Sequence, residues 1–174
     1  MSTAQLVGRH VRLRGVLPND GSFLTALFED PEVQAGLRHR IGAAATDRLV
    51  SNFLAETFLA FIIARRTTRE PVGFVFATRF EASVRRVYVG AALHREYRRR
   101  GWPLEALPVL AGYLDKEFQT PNWLIEVPSV TDIDCGRLER VGRLVRYGEI
   151  ESSDLVDGRY VATVVGKLAI VGQA

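Results

Sequence analysis

The chain has little of what builds disulfides and metal centres, because Cys135 is the single cysteine among 174 residues. One thiol excludes an intrachain disulfide and favours a reducing compartment. The three histidines, His10, His39 and His94, are dispersed along the sequence without a carboxylate-rich cluster beside them, so no metal site is predicted. We therefore expect a cytoplasmic protein that uses no metal.

Long apolar runs are also absent. No segment approaches the roughly 20 consecutive apolar residues of a membrane helix, and residues 1–15 lack the apolar core of a signal peptide. Hydrophobic residues nevertheless make up 47% of the chain, which is enough for a full core. We predict one globular domain over residues 1–174, with no membrane partner.

Lysine is scarce as well, since only Lys116 and Lys167 of the 23 basic residues are lysines. The formal net charge is only +3, and acidic residues are interspersed with the arginines. A GC-rich coding sequence produces the same arginine excess. Because the pattern indicates no broad basic face, we expect no nucleic-acid partner.

The most informative segment present is residues 93–106, which leads from a predicted strand through four arginines and Gly101 into a predicted helix. Apolar residues alternate before it and recur at steps of three and four after it. The first N–H groups of a helix have no partner within the helix, and its dipole is positive at that end, so such a junction suits phosphate. A glycine lets a ligand approach the turn closely.

Periodicity and turn residues predict the order strand, two helices, three strands, helix, strand, helix, two strands. The predicted strands are residues 11–14, 60–64, 72–80, 84–93, 123–127, 144–152 and 160–170, and the predicted helices are residues 23–28, 46–58, 104–118 and 133–141. Short connections make residues 60–93 an antiparallel meander. A helical crossover makes the strand at 123–127 parallel to the strand at 84–93. Asp20 is expected to cap the first helix, and Pro108 to bend the third or delay its start.

Residues 98–103 read Arg-Arg-Arg-Gly-Trp-Pro and resemble the acyl-CoA-binding loop of the GNAT acetyltransferase superfamily, Gln/Arg-x-x-Gly-x-Gly/Ala. The order of elements is similar to the GNAT fold over nearly the whole chain. Glu105-Ala106 stands where the branch acting on protein N-termini and related amines often has Thr-Glu-Ala. The resemblance implies a mixed α/β (α+β) fold, with a mostly antiparallel central sheet of about seven strands flanked by about four helices.

In that fold the fourth and fifth strands splay apart, so that backbone N–H groups of the fourth hold the pantetheine arm and the thioester oxygen of the cofactor. The resemblance implies acetyl-CoA, or another short acyl-CoA, as co-substrate, and an amine as acceptor. Cofactor contacts are predicted at the end of the fourth strand and in the loop after it: Ala91, Ala92, Leu93, Arg98, Arg99, Arg100, Gly101, Trp102 and Pro103.

Catalysis in this family usually needs a carboxylate near the splay as a general base. Glu126 is the only acid in the predicted fifth strand and is the first candidate, because a lone acid there must face a polar cavity, a partner or solvent. Tyr88 and Glu81 are weaker alternatives, the latter expected in a hairpin turn.

The helix at 133–141 carries the group that assists the leaving thiolate in the family. Aligned on the family's Lys-x-Gly-Phe ending, this sequence has Thr131 for the usual Asn, Asp134 for Ser or Ala, and Leu138 for Tyr. Thr131 offers a hydroxyl, and Asp134 offers a proton only with a strongly raised pKa. Cys135 as a nucleophile is a further idea, but a helix cysteine is most often a small buried hydrophobe.

These departures, together with Pro103, which lacks an N–H, leave two hypotheses open. The first is an N-acyltransferase that moves an acetyl or short acyl group from acyl-CoA directly to a primary amine of a small molecule or peptide in a ternary complex. The second is a GNAT-fold protein that has lost or repurposed acetyl transfer. Residues 33–58 are expected to cover the acceptor side, and residues 144–170 to form the interface of a homodimer.

Overall fold

Eight strands form one sheet in the part of the chain that the structure describes. The computed structural model describes residues 6–33, 59–81, 83, 86–98, 100–119, 122–128, 134–142, 144–156 and 159–168. The strands are β1 (Leu6–Val7), β2 (Val11–Gly15), β3 (Leu59–Arg65), β4 (Pro71–Glu81), β5 (Arg86–Leu93), β6 (Asn122–Pro128), β7 (Leu144–Val156) and β8 (Arg159–Leu168). The helices described there are α1 (Gly21–Glu29), α2 (Trp102–Phe118) and α3 (Cys135–Arg140), with short 3₁₀ turns at Pro18–Asp20 and Arg95–Tyr97.

The strand order across the sheet is β1-β2-β3-β4-β5-β6-β8-β7. Strands β2 to β5 form the predicted antiparallel meander, and β6 lies parallel to β5, as a crossover through α2 requires. The mixed, mostly antiparallel sheet is therefore confirmed. The predicted fourth and fifth strands are β5 and β6, because the two-residue β1 is too short for its periodicity to be seen in the sequence.

Both faces of the sheet are covered by apolar side chains. Neighbouring residues of β3 point to opposite faces, since Ile62 belongs to the cluster with α1 and Ile63 to the larger cluster with α2. Phe74 and Val75 of β4 divide in the same way, as the period of two requires. Each fully buried Leu, Ile or Phe stabilises the fold by about 1.5–3 kcal/mol, so the sheet is fixed from both sides.

Helix α1 spans the predicted stretch, but the prediction that Asp20 caps it is wrong. The Asp20 side chain makes no capping bond to this helix. It is 5% exposed and accepts hydrogen bonds from the Arg14 guanidinium at 2.6 and 2.7 Å and from the Leu17 N–H at 2.8 Å. Arg14 lies near the end of β2, so the ion pair joins this strand to the turn before α1.

Helix α2 begins at Trp102 and runs through Pro108 to Phe118, so a later start, one of the two alternatives for Pro108, is wrong, and a bend at Pro108 stays a prediction. Pro103 occupies the first turn, where a missing N–H costs nothing. Pro108 removes one bond, to the Leu104 carbonyl, and the buried apolar face of the helix holds the turns on either side of it. The helix predicted at residues 46–58 lies outside the described residues.

Strand β7 also differs from expectation. It continues to Val156, past the predicted end at 152, because register shifts within the β7–β8 pair let pairing resume at Asp154 opposite Val161. The predicted connection of residues 153–158 therefore mostly forms strand. Strand β8 lies between β6 and β7, which leaves β7 at the edge of the described sheet.

Candidate functional site

Strands β5 and β6 separate half way along β5. Their pairing runs from Arg86 opposite Asn122 to Val89 opposite Ile125. Beyond that point β6 pairs only with β8, and β5 continues to Leu93 paired only with β4. Among the described residues, therefore, the last four positions of β5 have a strand on one edge and a gap on the other.

The register determines which backbone groups face this gap. The His94 N–H donates to the Val72 carbonyl at 2.9 Å, on the β4 side. Groups alternate along an antiparallel strand, so the Ala92 N–H also points to β4, whereas the N–H groups of Ala91 and Leu93 point into the gap. A ligand lying along the gap would meet two backbone donors two residues apart.

Beyond β5 the chain enters the arginine-rich loop and turns into α2 at Gly101. Gly101 has φ +74° and ψ 11°, a left-handed conformation that only glycine adopts at little cost. The N–H groups of Trp102 and Leu104 belong to the first turn of the helix, which supplies them with no internal partner. The predicted combination of a glycine turn and a helix N-terminus is therefore present.

Arg98 binds groups outside that turn. Its guanidinium lies 2.8 Å from Asp30 and 2.5 Å from Glu32, and its Nε donates to the Leu93 carbonyl at 3.2 Å. The side chains of Arg98 and Asp30 are each only 12% exposed. These contacts fasten the loop to the residues that follow α1 and to the end of β5, and a phosphate contact for Arg98 stays a prediction.

The ion pair also changes the acidity of Asp30. Burial alone would raise its pKa, but hydrogen bonds from Arg98 and from the Glu32 N–H, together with the arginine charge, outweigh burial and lower the pKa. Asp30 therefore stays ionised well into the acid range, and the contact with Arg98 is a charged one at neutral pH.

An aromatic cluster stiffens the other side of the loop. The rings of Tyr97 and Trp102 stack with centroids 5.4 Å apart, and the exposed Arg100 guanidinium lies 5.8 Å from each ring centroid. The Tyr97 hydroxyl donates to Glu70 at 2.5 Å, and this bond is the main reason why the pKa of Tyr97 is raised. Arg100 thus remains near the turn on an exposed surface, while Arg99 lies outside the described residues.

The candidate catalytic residues are placed by their strands. Glu126 lies on β6 opposite Val165, one residue beyond the last pair between β5 and β6, so the chain brings it to the start of the gap. Tyr88 lies on β5 opposite Leu124, just before the gap. The side chains of Glu126 and Tyr88 are outside the described part of the structure, as is the whole of Thr131, and their roles stay predictions.

Two candidate residues at the start of α3, Asp134 and Cys135, have structural roles. The Asp134 carboxylate caps α3 by accepting the Arg137 N–H at 2.8 Å, and a role for Asp134 at the thiolate stays a prediction. Cys135 is buried, and burial raises the pKa of its thiol to about 11, so the thiol is protonated at neutral pH. It behaves as the small buried hydrophobe that a helix cysteine usually is.

Among the described residues, no group of three or more His, Cys, Asp or Glu side chains could hold a metal ion. Likewise, no helix in the described ranges has both the length and the apolar character needed to cross a membrane.

Residues 10–134 match the family model described as an Acetyltransferase (GNAT) domain. The chain belongs to the GNAT acetyltransferase family. The GNAT protein is accordingly an acetyltransferase, and an acyl-CoA is the co-substrate that its fold implies. The gap between β5 and β6 is the splay expected for this fold.

Solved GNAT structures share the fold at low sequence identity. The spermidine N-acetyltransferase from Vibrio cholerae, in complex with CoA and spermine, has a TM-score of 0.76 at 14% identity, covering 91% of this chain and 95% of that one. The ribosomal-protein-S5-alanine acetyltransferase from Vibrio fischeri has a TM-score of 0.69 at 15% identity, covering 98% of each chain. A GNAT-family acetyltransferase from Bacillus anthracis has a TM-score of 0.71 at 13% identity, covering 92% and 95%. Among curated proteins nothing matches the chain.

Two contacts around the glycine turn and the start of α2 in the GNAT protein have no clear signal in the sequence. Glu105, in the first turn of α2, accepts the His10 N–H at 2.6 Å and the Val11 N–H at 3.3 Å, which ties the helix start to the β1–β2 turn. The second is Arg137 of α3, which lies beside Gly101. Both join elements far apart in the sequence, so neither periodicity nor a local motif could have predicted them.

Proposed function

We propose that this GNAT protein transfers an acetyl group from acetyl-CoA to the primary amine of a small molecule or peptide, by direct attack in a ternary complex. One observation carries the proposal: β5 and β6 part beyond Val89 and Ile125, and the free edge of β5 leads directly to the left-handed turn at Gly101. A thioester, its pantetheine arm and its phosphates thus have one continuous path along the chain.

Each part of the cofactor meets suitable groups along this path. The N–H groups of Ala91 and Leu93 receive the pantetheine amides and the thioester oxygen, and the small side chain of Ala92 leaves room beside them. The pyrophosphate sits at the N–H groups of Trp102 and Leu104, where the dipole of α2 favours negative charge. The guanidinium groups of Arg99 and Arg100, the loop arginines closest in sequence to the turn, supply counter-charge.

In the proposed reaction, the neutral amine attacks the thioester carbon, a C–N bond forms and the C–S bond breaks. The β5 N–H groups stabilise the negative charge that develops on the carbonyl oxygen. Glu126 takes the proton of the amine, directly or through a water molecule. The departing thiolate takes a proton from a water molecule, which regains one from the protonated Glu126, with the Thr131 hydroxyl as a candidate escort, because Leu138 is fully buried and carries no acidic group. The protonated Cys135 thiol is not needed.

The acceptor in the proposed reaction is a primary amine. Spermidine and an alanine of ribosomal protein S5 are the acceptors named for two of the solved relatives, and spermidine and a peptide that begins with alanine both present primary amines. The test therefore uses spermidine and a short peptide with an N-terminal alanine, and follows the release of free thiol from acetyl-CoA.

The wild-type protein should release thiol at a rate that depends on the concentration of at least one amine. Gly101→Trp should abolish this activity. Glu126→Gln should lower kcat about 100-fold, whereas Glu117→Gln, an exposed acid near the far end of α2, should leave kcat unchanged. If the protein bound acetyl-CoA but released no thiol in the presence of either amine, the second hypothesis would be favoured, a GNAT fold whose transfer chemistry is lost or repurposed. Equal rates for Glu126→Gln and wild type would remove Glu126 from the mechanism.

The proposal includes a cytoplasmic, single-domain protein that forms a homodimer through its last two strands. Strand β7 is an edge of the described sheet, and its Val145, Tyr147 and Ile150 side chains are all more than half exposed. A second copy seated on β7 would cover them. Light scattering should give twice the mass of one chain, and Tyr147→Asp should reduce it to one chain; a monomeric wild-type protein would contradict this part of the proposal.

A further inference from the structure

The Arg137 guanidinium lies against the glycine turn, although the two are on different helices. A β-carbon built on Gly101 would lie 3.4 Å from Nη1 and 3.7 Å from Cζ of Arg137, with Leu104 Cδ1 at 3.6 Å. A β-carbon there would thus be in van der Waals contact with the guanidinium, which places Arg137 close to the backbone where α2 begins.

Asp134 and Glu139, which flank Arg137 in the sequence, and Glu149 of β7 are bound to other groups. Asp134 accepts the backbone N–H of Arg137. Glu139 and Glu149 both pair with Arg146, at 2.5 and 3.2 Å. Within the described part of the chain, no carboxylate forms an ion pair with the Arg137 guanidinium, which is exposed to solvent. The turn thus carries a cation whose charge no described acid compensates.

Three positive features therefore converge on one point of the surface. Arg137 lies over Gly101, the first N–H groups of α2 have no intrahelical partners, and Arg100 lies beside Trp102. A guanidinium presents a planar fork of donors that matches two oxygens of one phosphate group. We infer that Arg137 binds the pyrophosphate of acyl-CoA at the Gly101 turn, as a contact that reaches the site from α3. This inference rests on the proposed function, because it takes the turn as the cofactor site.

The test measures binding by titration calorimetry with two ligands, CoA and dephospho-CoA, which lacks the 3′-phosphate but keeps the pyrophosphate. Arg137→Ala should weaken the binding of both ligands by the same factor, about 10- to 100-fold, as expected for the loss of a charge-assisted hydrogen bond. Arg137→Lys, which keeps the charge without the fork, should recover only part of the loss. Arg140→Ala is the matched control, since Arg140 is an exposed arginine of the same helix, and it should bind like wild type.

An Arg137→Ala protein that binds both ligands like the Arg140→Ala control would overturn the inference. A loss confined to CoA would also overturn it, because the contact would then be to the 3′-phosphate. If the wild-type protein bound neither ligand, the proposed function itself would be wrong, and the inferred contact from Arg137 would be wrong as well. Unfolding temperatures of the two alanine variants should agree, since both side chains are exposed, and this keeps a folding defect from being mistaken for lost binding.

Discussion

Replacement of Gly101 by alanine, compared with the same change at Gly142, separates backbone strain from loss of the cofactor site. Both glycines have left-handed backbones, with φ of +74° and +68°. A β-carbon at Gly142 would meet nothing within 4 Å, and at Gly101 its nearest contact would be 3.4 Å, to Arg137. Both methyl groups therefore fit, and both variants carry the same conformational penalty, about 1–2 kcal/mol of unfolding free energy.

Binding should distinguish the two variants. The methyl group at position 101 would project toward the Arg137 guanidinium and crowd the proposed pyrophosphate beside them, whereas position 142 follows α3 and is not part of the site. Loss of one charge-assisted hydrogen bond costs about 1.5–3 kcal/mol, so Gly101→Ala should bind acetyl-CoA roughly 10- to 150-fold more weakly than wild type. Gly142→Ala should keep the wild-type affinity.

The assay pairs titration calorimetry with acetyl-CoA and denaturant unfolding of the same samples. The expected result is equal destabilisation of the two variants with lost affinity only in Gly101→Ala. If Gly101→Ala bound acetyl-CoA as tightly as Gly142→Ala, the cofactor would not approach this turn, and the assignment of the loop would be refuted.

Three further predictions follow from the contacts around the site. Arg98→Gln should lower the unfolding free energy by about 2 kcal/mol, since Asp30 is left largely buried without its cation; a loss below about 0.5 kcal/mol in denaturant unfolding, the scale of an exposed pair, would show that the pair is not structural. The pKa values of Asp20 and Asp30 are lowered from 3.8, so the stability they contribute is present above that pH and is lost as pH falls through the lowered values. As the pH is lowered by about four units, from 7 to 3, the unfolding free energy should fall less steeply for Asp20→Asn than for wild type. Identical slopes would contradict the charged contact between Asp20 and Arg14. Because the pKa of the Cys135 thiol is raised to about 11, iodoacetamide should react at pH 8 at least about tenfold more slowly with the native than with the unfolded protein; fast native labelling, or loss of transfer in Cys135→Ala, would restore a nucleophilic role.

The fold was largely predictable because most elements have a clear period. The alternation in residues 72–80 and the helical spacing after Gly101 determined β4 and α2, and the short connections determined the meander. The two-residue β1 has no period to detect. The extension of β7 to Val156 depends on register shifts against β8, and such shifts are set by the partner strand and not by the local sequence.

The site was predictable only where one segment contains it. The glycine turn and the helix start adjoin in the sequence, so the anion loop could be read directly. The direction in which each arginine side chain points could not be predicted, because Arg98 pairs with carboxylates that follow α1 and Arg137 reaches the turn from α3. Four arginines in one loop are equivalent by sequence, and tertiary contacts give them different tasks.

The crystal structure of the protein with bound CoA is the most direct test of the central claim, that the gap beyond Val89 and the turn at Gly101 form one acyl-CoA site. We expect the pyrophosphate within hydrogen-bonding distance of the Trp102 N–H and the Arg137 guanidinium, and the pantetheine arm along Ala91 and Leu93 with its thiol toward Glu126. CoA bound elsewhere on the chain, or with its phosphates away from Gly101, would contradict it.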